Sequence, residues 1–329
     1  MLYSNLNNKR ILESLLLFLS CYFFISNIRK SALSRLGFDH KTFVKYNDKI
    51  ITAFAVGFSS DGPYRDLPAY DDIIQAASGM ASYQEAYSDQ PSYTSGATAD
   101  KATGLMLALS VVSSLFKRNK DNKDLEVEVP MFETMVDFTL VEHLYGYNFL
   151  PPKDEPVYPR QSSPNRKPYE TKDGFIAVLP YNDEQWLRFL KFIKKEHLIK
   201  TKKFSTLENR NKNVDELYSL LVKELKKEKT NFWIKKLREI DIPSMKINKP
   251  KDLFIDEHLK KTNFFKTYKH STEGDLMYPR LPVYFNNERD NESKFEAPNL
   301  GNKTKEILID LGYDKNEIEN LRKEKVIFF

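Results

Sequence analysis

The hydrophobic pattern changes most sharply at residues 102 to 116, where almost every position is small or apolar. A run of this length predicts a long helix, and Lys117 and Arg118 supply the cations that favour a helix C-terminus. Because polar positions are scarce around its circumference, we expect the helix to be buried on most sides. Asp100 lies at its start, so one carboxylate would stand at its N-terminal end.

A second apolar run covers residues 11 to 25 and changes from Leu-rich to aromatic and β-favouring near Cys21. The run carries Glu13 and is shorter than the roughly 20 apolar residues that cross a bilayer. We therefore predict a helix followed by a buried strand that ends at Ile25. This interpretation makes the run neither a signal peptide nor a membrane anchor, and no membrane partner is expected.

Strand and helix patterns continue along the first half of the chain. We predict a helix from Asp39 to Tyr46, a strand from Lys49 to Val56, and a helix from Met131 to Leu144 that Pro130 begins. The interpretation is an α/β fold with a parallel sheet. Open sheets of this kind bind ligands at the carboxyl ends of their strands, where the loop from Gly57 to Pro68 would lie.

Prolines mark a boundary after the first half. Six of them between Phe149 and Pro168 predict a linker, placed at residues 151–172. The linker would separate a large domain, residues 1–150, from a smaller α+β domain, residues 173–275. Six elements are predicted beyond it: a strand over Gly174–Leu179 and helices over Asp183–Lys194, Val214–Lys227, Asn231–Glu239, Lys303–Leu311 and Lys315–Lys323, the last two being short.

Composition narrows the class of protein. The 329 residues are 41% hydrophobic and 29% charged, which is typical of a globular protein with a sizeable core. One cysteine excludes an intramolecular disulfide and fits a reducing cytoplasm. The five histidines lack ligand spacing, so no metal site is predicted. A net charge of +5, with lysines interleaved with glutamates, argues against a nucleic-acid partner.

Asp100 can be interpreted in two ways from its position. An aspartate before a helix is most often an N-cap that accepts a backbone N–H bond. Alternatively, the free N–H groups and positive dipole end of the helix would keep the carboxylate ionised, as a carboxylate nucleophile requires. The residue and its helix alone favour the N-cap.

The surrounding residues resemble a known family. Ala99-Asp100-Lys101-Ala102-Thr103-Gly104-Leu105 and the apolar helix after it resemble the nucleophile segment of the family III CoA-transferases, a family that includes the 2-methylacyl-CoA racemases. Further segments resemble its other signatures in the family's order: Ser26–Phe38, Gly57–Tyr64, Pro68–Asp71, Val127–Met135, Asp173–Ala177 and Ala297–Gly301.

The resemblance implies a fold and a set of site residues. It implies a Rossmann-like large domain to which residues 276–329 return, and a homodimer of interlocked chains. Family members begin with a further strand–helix–strand unit, so this large domain would be N-terminally truncated and would expose apolar surface. Asp100 is the implied catalytic nucleophile, and the implied CoA-binding residues are Asn27, Ile28, Arg29, Ala32, Arg35 and Tyr70.

The implied reaction moves CoA from an acyl-CoA donor to a free carboxylic acid. Asp100 would form a mixed anhydride and then an aspartyl-CoA thioester, with backbone N–H groups between Gly57 and Gly62 stabilising the oxyanions. CoA thioesters are then substrates, and no permanently bound cofactor is required.

Two alternatives remain open at this stage. A racemase would exchange the α-proton between an aspartate and a histidine, but this chain has Tyr70 where the racemases carry that histidine. A tyrosine hydroxyl titrates near ~10, too high for easy proton abstraction at neutral pH. A non-catalytic fragment of the family is the other alternative. The acyl donor and acceptor cannot be read from the sequence.

Overall fold

A computed structural model describes residues 22–289 and 296–329. Within them the chain forms two compact units, one ending at Lys246 and the other beginning at Ile247. The predicted helix before Cys21 lies outside the described residues. The domain borders proposed at residues 150, 172 and 275 remain predictions.

A parallel three-stranded sheet organises the first unit. Its strands are β1 (Phe23–Ser26), β2 (Ile51–Val56) and β3 (Leu125–Pro130), in the order β1-β2-β3. Strand β2 is central and its side chains are almost all buried, as a strand covered on both faces requires. The predicted α/β architecture with a parallel sheet is therefore confirmed.

Seven helices accompany the described part of this sheet. Two short helices lie between β1 and β2, and Asp39 caps the second by accepting the Thr42 backbone N–H at 2.9 Å. Three more and one long helix lie between β2 and β3, and the last follows β3. They are α1 (Lys30–Arg35), α2 (His40–Val44), α3 (Asp71–Ala77), α4 (Met80–Tyr83), α5 (Glu85–Ser88), α6 (Thr98–Asp121) and α7 (Met131–His143).

Helix α6 is longer and more exposed than its sequence predicts. It packs against β2, β3, α3 and α7 along one side, where Ala99, Thr103, Val111 and Ser114 are buried. The expectation that it is buried on most sides is wrong. Its length and composition alone would also suit a membrane span, but this is weak evidence, because core helices of globular proteins meet the same criteria.

Strand β1 also differs from the expected buried strand. Phe24 packs on Phe43, with ring centroids 4.5 Å apart, but Phe23 and Ile25 on the opposite face are 44% and 47% exposed. The strand pairs with β2 on one side within the described sheet. A run of apolar residues does not reveal which of its two faces has a neighbour, so the error lies in the packing and not in the strand itself.

Residues 169–246 build a second core inside the first unit. Strands β4 (Tyr169–Glu170), β5 (Phe175–Val178) and β6 (Ser244–Lys246) form an antiparallel sheet. The core between sheet and helices contains Ile176, Phe189, Leu221 and Trp233. The helices are α8 (Asp183–Phe192), α9 (Leu207–Lys212), α10 (Val214–Leu225) and α11 (Thr230–Glu239), and short 3₁₀ helices cover Tyr145–Asn148, Glu196–Lys200 and Pro250–Phe254, the last in the second unit.

The second unit contains two hairpins and three helices in its described part. Strands β7 (Phe265–His270) and β8 (Gly274–Pro279) pair antiparallel across the predicted border at residue 275, and β9 (Tyr284–Phe285) pairs with β10 (Glu288–Arg289). The helices are α12 (Glu257–Lys261), α13 (Thr304–Asp310) and α14 (Lys315–Lys323). The last two match the two helices predicted for this segment.

Candidate active site

A cleft of about 630 Å³ opens at the carboxyl ends of the parallel strands. Asn27 follows β1, Gly57 follows β2 and Met131 follows β3, and all three line the cleft. This is the edge at which open α/β sheets bind ligands. The expectation that the loop from Gly57 to Pro68 lies at this edge is met.

The cleft brings together most of the residues proposed for the site. Asp100 lines it together with Asn27, Ile28, Arg29, Ala32 and Tyr70. Among the described residues that line it, Arg29 and Asp100 are the charged ones, so a cation and a carboxylate share one concave surface.

Asp100 does not have the role of an N-cap. Helix α6 begins at Thr98, its N-cap position is Ala97, and Asp100 is the third helical residue. Its carboxylate accepts no hydrogen bond from any part of the chain that the structure describes. The side chain is exposed in the first turn of the helix.

A neighbouring carboxylate holds the backbone of Asp100. The Asp100 N–H donates to Oδ1 of Asp71 at 3.0 Å, and Nε2 of Gln75 donates to Oδ2 of Asp71 at 2.6 Å. Gln75 is fully buried, and its Oε1 accepts the Thr94 backbone N–H at 2.9 Å. This network joins α3, the loop before α6 and the first turn of α6. It therefore fixes the position of the Asp100 backbone, from which the side chain extends.

The loop after β1 reaches across to the loop after β2. Nη1 of Arg29 donates to the Asp66 carbonyl oxygen at 2.9 Å, while the Arg29 side chain remains at the cleft surface. Tyr70 precedes α3, is 78% exposed and lines the same cleft. These side chains are open to an incoming ligand, as a site for an anionic, partly aromatic molecule requires.

Arg35 does not share this surface. It is the last residue of α1 and is exposed, but it is not among the residues that line the cleft. Its assignment to CoA binding remains a prediction.

Gly57 is required by close packing at the end of β2. A Cβ atom at this position would lie 2.4 Å from the Cβ of Ala69. The segment that carries Tyr70 therefore passes directly over the strand end, and only a glycine lets it approach so closely.

Within the loop from Gly57 to Gly62, the backbone N–H groups of residues 59 to 62 are not available as the expected oxyanion donors. The Ser60 N–H donates to Glu128 at 2.7 Å, and the Ser59 N–H donates to Glu133 at 3.2 Å. The N–H groups of Asp61 and Gly62 donate to the side-chain and backbone oxygens of Ser59. The four amides are used to shape the loop, so the expectation is wrong for residues 59 to 62.

Glu128 anchors this loop as an ionised group. Burial opposes its charge, but hydrogen bonds from Ser60 and the ammonium group of Lys30, 3.0 Å away, hold the pKa of the carboxyl below its usual value. Lys30 also contacts Glu126 at 2.6 Å. The cluster fastens α1 and the loop to β3.

Two neighbours of Asp100 were missed by sequence reasoning. Asp71 is part of a motif but has no predicted role, and no sequence pattern marks Gln75, because its role depends on packing between α3 and α6.

Thr103, one turn after Asp100, lines the cleft, is 2% exposed and has a hydroxyl without a hydrogen-bond partner among the described residues. A buried unpaired hydroxyl is uncommon and marks this position as part of the site.

Metal ligands do not cluster here. Over residues 22–289 and 296–329, no group of three or more His, Cys, Asp or Glu side chains is placed to hold a metal ion.

Curated relatives align along almost the whole chain. A (R)-2-hydroxy-4-methylpentanoate CoA-transferase of Clostridioides difficile is 28% identical over 92% of this chain and 76% of its own length. A cinnamoyl-CoA:phenyllactate CoA-transferase of Clostridium sporogenes is 27% identical over 92% and 74%. The human succinyl-CoA:glutarate CoA-transferase is 25% identical over 93% and 70%.

Solved structures share the fold. A crystal structure of a CaiB/BaiF family protein from Brucella suis superimposes with a TM-score of 0.71 and 22% identity, over 93% of this chain and 79% of that one. The sequence model of CoA-transferase family III matches residues 15–304. With most of the chain matched, the protein belongs to CoA-transferase family III.

Proposed function

We propose that the protein transfers CoA from an acyl-CoA donor to a free carboxylic acid, with Asp100 as the nucleophile. The relatives named above are CoA-transferases that differ in their acids, which supports the reaction class and leaves the substrates to be identified. The observation that carries the proposal is the cleft in which Asp100 meets Asn27, Arg29 and Tyr70 at the carboxyl edge of the sheet.

The first half of the proposed reaction frees CoA from its acyl group. A carboxylate oxygen of Asp100 attacks the thioester carbonyl, the C–S bond breaks, and a mixed anhydride and a CoA thiolate form. The thiolate then attacks the Asp100 carbonyl carbon of the anhydride. The donor acid leaves as a carboxylate, and Asp100 is left as a thioester of CoA.

The second half runs through the same steps with the acceptor. The acceptor carboxylate attacks the aspartyl thioester, forming a new anhydride and releasing the thiolate. Attack of the thiolate on the acceptor's acyl carbon gives the new acyl-CoA and regenerates the Asp100 carboxylate. No proton or electron is gained or lost over the cycle, so the site needs no general base.

The surroundings of Asp100 suit this chemistry. A nucleophilic carboxylate must not be occupied by strong hydrogen bonds, and none of the described residues donates a hydrogen bond to the Asp100 carboxylate. The backbone bond to Asp71 limits its movement without masking its oxygens. Arg29, the cation of the cleft, is suited to a phosphate group of CoA, and Asn27, Ile28, Ala32 and Tyr70 to the remainder of the molecule.

The proposal also covers the oligomeric state and the cellular location of the protein. The apolar surface of α6 supports a homodimer, with the interlocked arrangement implied by the family resemblance as its specific form. The single cysteine supports a cytoplasmic location.

Intact-protein mass spectrometry tests the proposed nucleophile. The wild-type chain is incubated with succinyl-CoA, cinnamoyl-CoA, formyl-CoA and a 2-hydroxyacyl-CoA, and then with hydroxylamine. We expect an adduct with the mass of CoA or of the acyl group, which hydroxylamine removes because anhydrides and thioesters are activated acyl groups. The donor that forms it identifies the substrate class.

Two aspartates at opposite ends of α6 provide the matched variants. Asp100→Ala should form no adduct, whereas Asp121→Ala, which removes a carboxylate from the last turn of the same helix, should behave as wild type. An adduct that persists in Asp100→Ala would overturn the assignment. No adduct from any donor, together with α-proton exchange into deuterium oxide, would establish the racemase alternative instead.

A further inference from the structure

A second cavity, about 110 Å³, lies in the part of the first unit that contains α8, α9 and α10. Its wall includes Arg160, Trp186, Arg210 and Tyr218, and none of its residues also lines the cleft. A cavity of this size holds several water molecules, since a single water needs only about 10–15 Å³ of such space. It is large enough for an anion of four or five heavy atoms.

Arg210 is a buried cation of this cavity. Its side chain is 3% exposed, Nη1 donates to the Phe204 carbonyl oxygen at 2.9 Å, and Nη2 pairs with the exposed carboxylate of Asp183. These contacts satisfy the far end of the guanidinium. The Nε–H remains buried and has no acceptor among the described residues.

Arg160 brings a second positive charge to the same wall. Its guanidinium lies over the rings of Tyr158 and Tyr181, with centroid distances of 5.7 and 5.4 Å. Burial opposes its charge, but the hydroxyls of Tyr158 and Tyr218 raise the pKa of Arg160 above its ordinary value. The Nε–H of Arg160 is also buried without an acceptor in the described part of the chain.

The remaining wall distinguishes between anions. It contains no carboxylate among the described residues, and it offers apolar surface from Leu179, Leu207, Val214 and Leu217. An inorganic ion would leave that surface without a partner, whereas a short organic acid has both an oxyanion and an apolar tail. Buried donors without acceptors are uncommon in folded proteins, and two on one cavity wall indicate a missing acceptor.

We propose that this cavity is a binding site for a short-chain carboxylate, whose oxygens accept the Nε–H groups of Arg160 and Arg210. The site does not depend on the reaction proposed for Asp100, because it shares no residue with that cleft. A small acid bound here would tie the segment before β4 to α9, and would therefore stabilise this part of the fold.

Fluorescence of Trp186 provides a direct test. The chain has two tryptophans, and Trp233→Phe leaves Trp186 in the cavity wall as the remaining one. We expect acetate and propionate to change its emission saturably, and phosphate and chloride at equal ionic strength to have no saturable effect. Because Trp233 is itself buried, isothermal titration calorimetry on the wild-type chain provides the same comparison without that substitution.

Arginine variants distinguish carboxylate binding in this cavity from a general effect of the protein's positive charge. Arg160→Gln should weaken propionate binding about tenfold or more, since a charge-assisted hydrogen bond is lost. Arg238→Gln, on the exposed surface of α11, should bind as the wild type. The proposal is overturned if wild type shows no saturable carboxylate binding, if phosphate binds equally well, or if Arg160→Gln binds propionate unchanged.

Discussion

Asp71 and Asp100 are neighbouring carboxylates with different surroundings. Asp71 accepts two hydrogen bonds, from the Asp100 backbone and from the buried Gln75, whereas the Asp100 carboxylate accepts none from the described residues. Hydrogen bonds make a carboxylate a weaker nucleophile. Asp71 therefore holds the first turn of α6 in place, while the Asp100 carboxylate remains free to react. Asp71 is a positioning residue in this interpretation.

Removing the Asp71 carboxylate should affect both stability and the rate of adduct formation. Asp71→Ala leaves the amide of fully buried Gln75 without its acceptor, so the free energy of unfolding should fall by about 1–3 kcal/mol. The rate at which acyl-CoA modifies Asp100 should fall as well, because the first turn of α6 is released. Chemical denaturation and time-resolved mass spectrometry measure the two effects.

Two further variants distinguish positioning from a purely structural role. Asp72→Ala removes the exposed neighbouring carboxylate and should leave both quantities unchanged. Asp71→Asn retains an oxygen that can accept the Asp100 N–H, so it should recover part of the adduct rate. Equal adduct rates in wild type and Asp71→Ala would contradict the positioning role.

Gly57→Ala should disturb the cleft through one defined clash. The new Cβ would meet the Cβ of Ala69 at 2.4 Å, and overpacking of this kind costs about 1–3 kcal/mol of unfolding free energy. The displaced segment carries Tyr70, so acyl-CoA affinity should fall together with stability.

The double variant Gly57→Ala, Ala69→Gly provides the control. It removes the opposing Cβ, so most of the lost stability and affinity should return when both are measured by thermal denaturation and calorimetric titration. If the double variant is no better than Gly57→Ala alone, the contact with Ala69 is not the cause.

Sequence motifs predict the individual site residues better than they predict the contacts that support those residues. Asp100, Arg29 and Tyr70 belong to motifs that resemble the family, and the structure places all three on one cleft. Gln75 lies outside every quoted motif, and Thr103 lies inside the nucleophile segment but carries no predicted role, because the importance of both depends on which helices pack together. Arg35 shows the reverse case, since its motif matches but its side chain is not on the cleft.

At the scale of elements, the hydrophobic pattern predicts whether a segment is a helix or a strand better than it predicts which of its side chains are buried. The helix predicted from Lys315 to Lys323 matches α14, and the strand from Lys49 to Val56 contains β2. Both have an unambiguous pattern. Helix α6 and strand β1 were predicted to be buried, but their apolar residues are exposed on one side. Composition shows that the surface of an element is apolar, but it does not show which other part of the protein covers that surface.

His143 should make the stability of the fold depend on pH. It ends α7, is buried against Tyr83 with ring centroids 3.8 Å apart, and its Nδ1 accepts the Tyr158 backbone N–H at 3.1 Å. Burial lowers the pKa of His143, and the nearby Glu142 only partly opposes this shift. The folded protein therefore holds the imidazole in its neutral form more strongly than the unfolded chain does.

The sign of the pH effect follows from this lowered pKa. The unfolded histidine binds its proton near pH ~6.5, so the contribution is fully present above that pH and is lost as the pH falls towards the lower pKa of the folded state. Urea denaturation at pH 7.5, 6.5 and 5.5 should show declining stability. His143→Gln should have a smaller decline over this range, and an identical decline in both proteins would rule out His143 as its source.

At the scale of the whole molecule, the exposed apolar stripe of α6 is the surface proposed as the homodimer interface. Leu105, Leu109 and Phe116 are 75%, 63% and 73% exposed, and Val112 lies between them on the same side. Their spacing of three to four residues places them along one face of the helix. Monomeric proteins rarely leave such a contiguous surface uncovered, so this face is a suitable interface for the proposed homodimer.

A charge placed in the middle of this stripe should separate the dimer. Leu109→Glu would bury an unpaired carboxylate in an apolar interface, a change that costs several kcal/mol of association free energy. Light scattering after size-exclusion chromatography should show a dimer for wild type and a monomer for Leu109→Glu at equal concentration. Leu281→Glu, at an exposed leucine of the second unit, should remain dimeric.

The same variants link assembly to the reaction. If the partner chain completes the site, Leu109→Glu should form the Asp100 adduct more slowly than Leu281→Glu, although its own cleft residues are unchanged. Far-UV circular dichroism establishes that both variants are folded, so a difference in adduct rate reports on association. A wild-type chain that is monomeric at all concentrations, or a Leu109→Glu chain that remains dimeric, would show that α6 is not the interface.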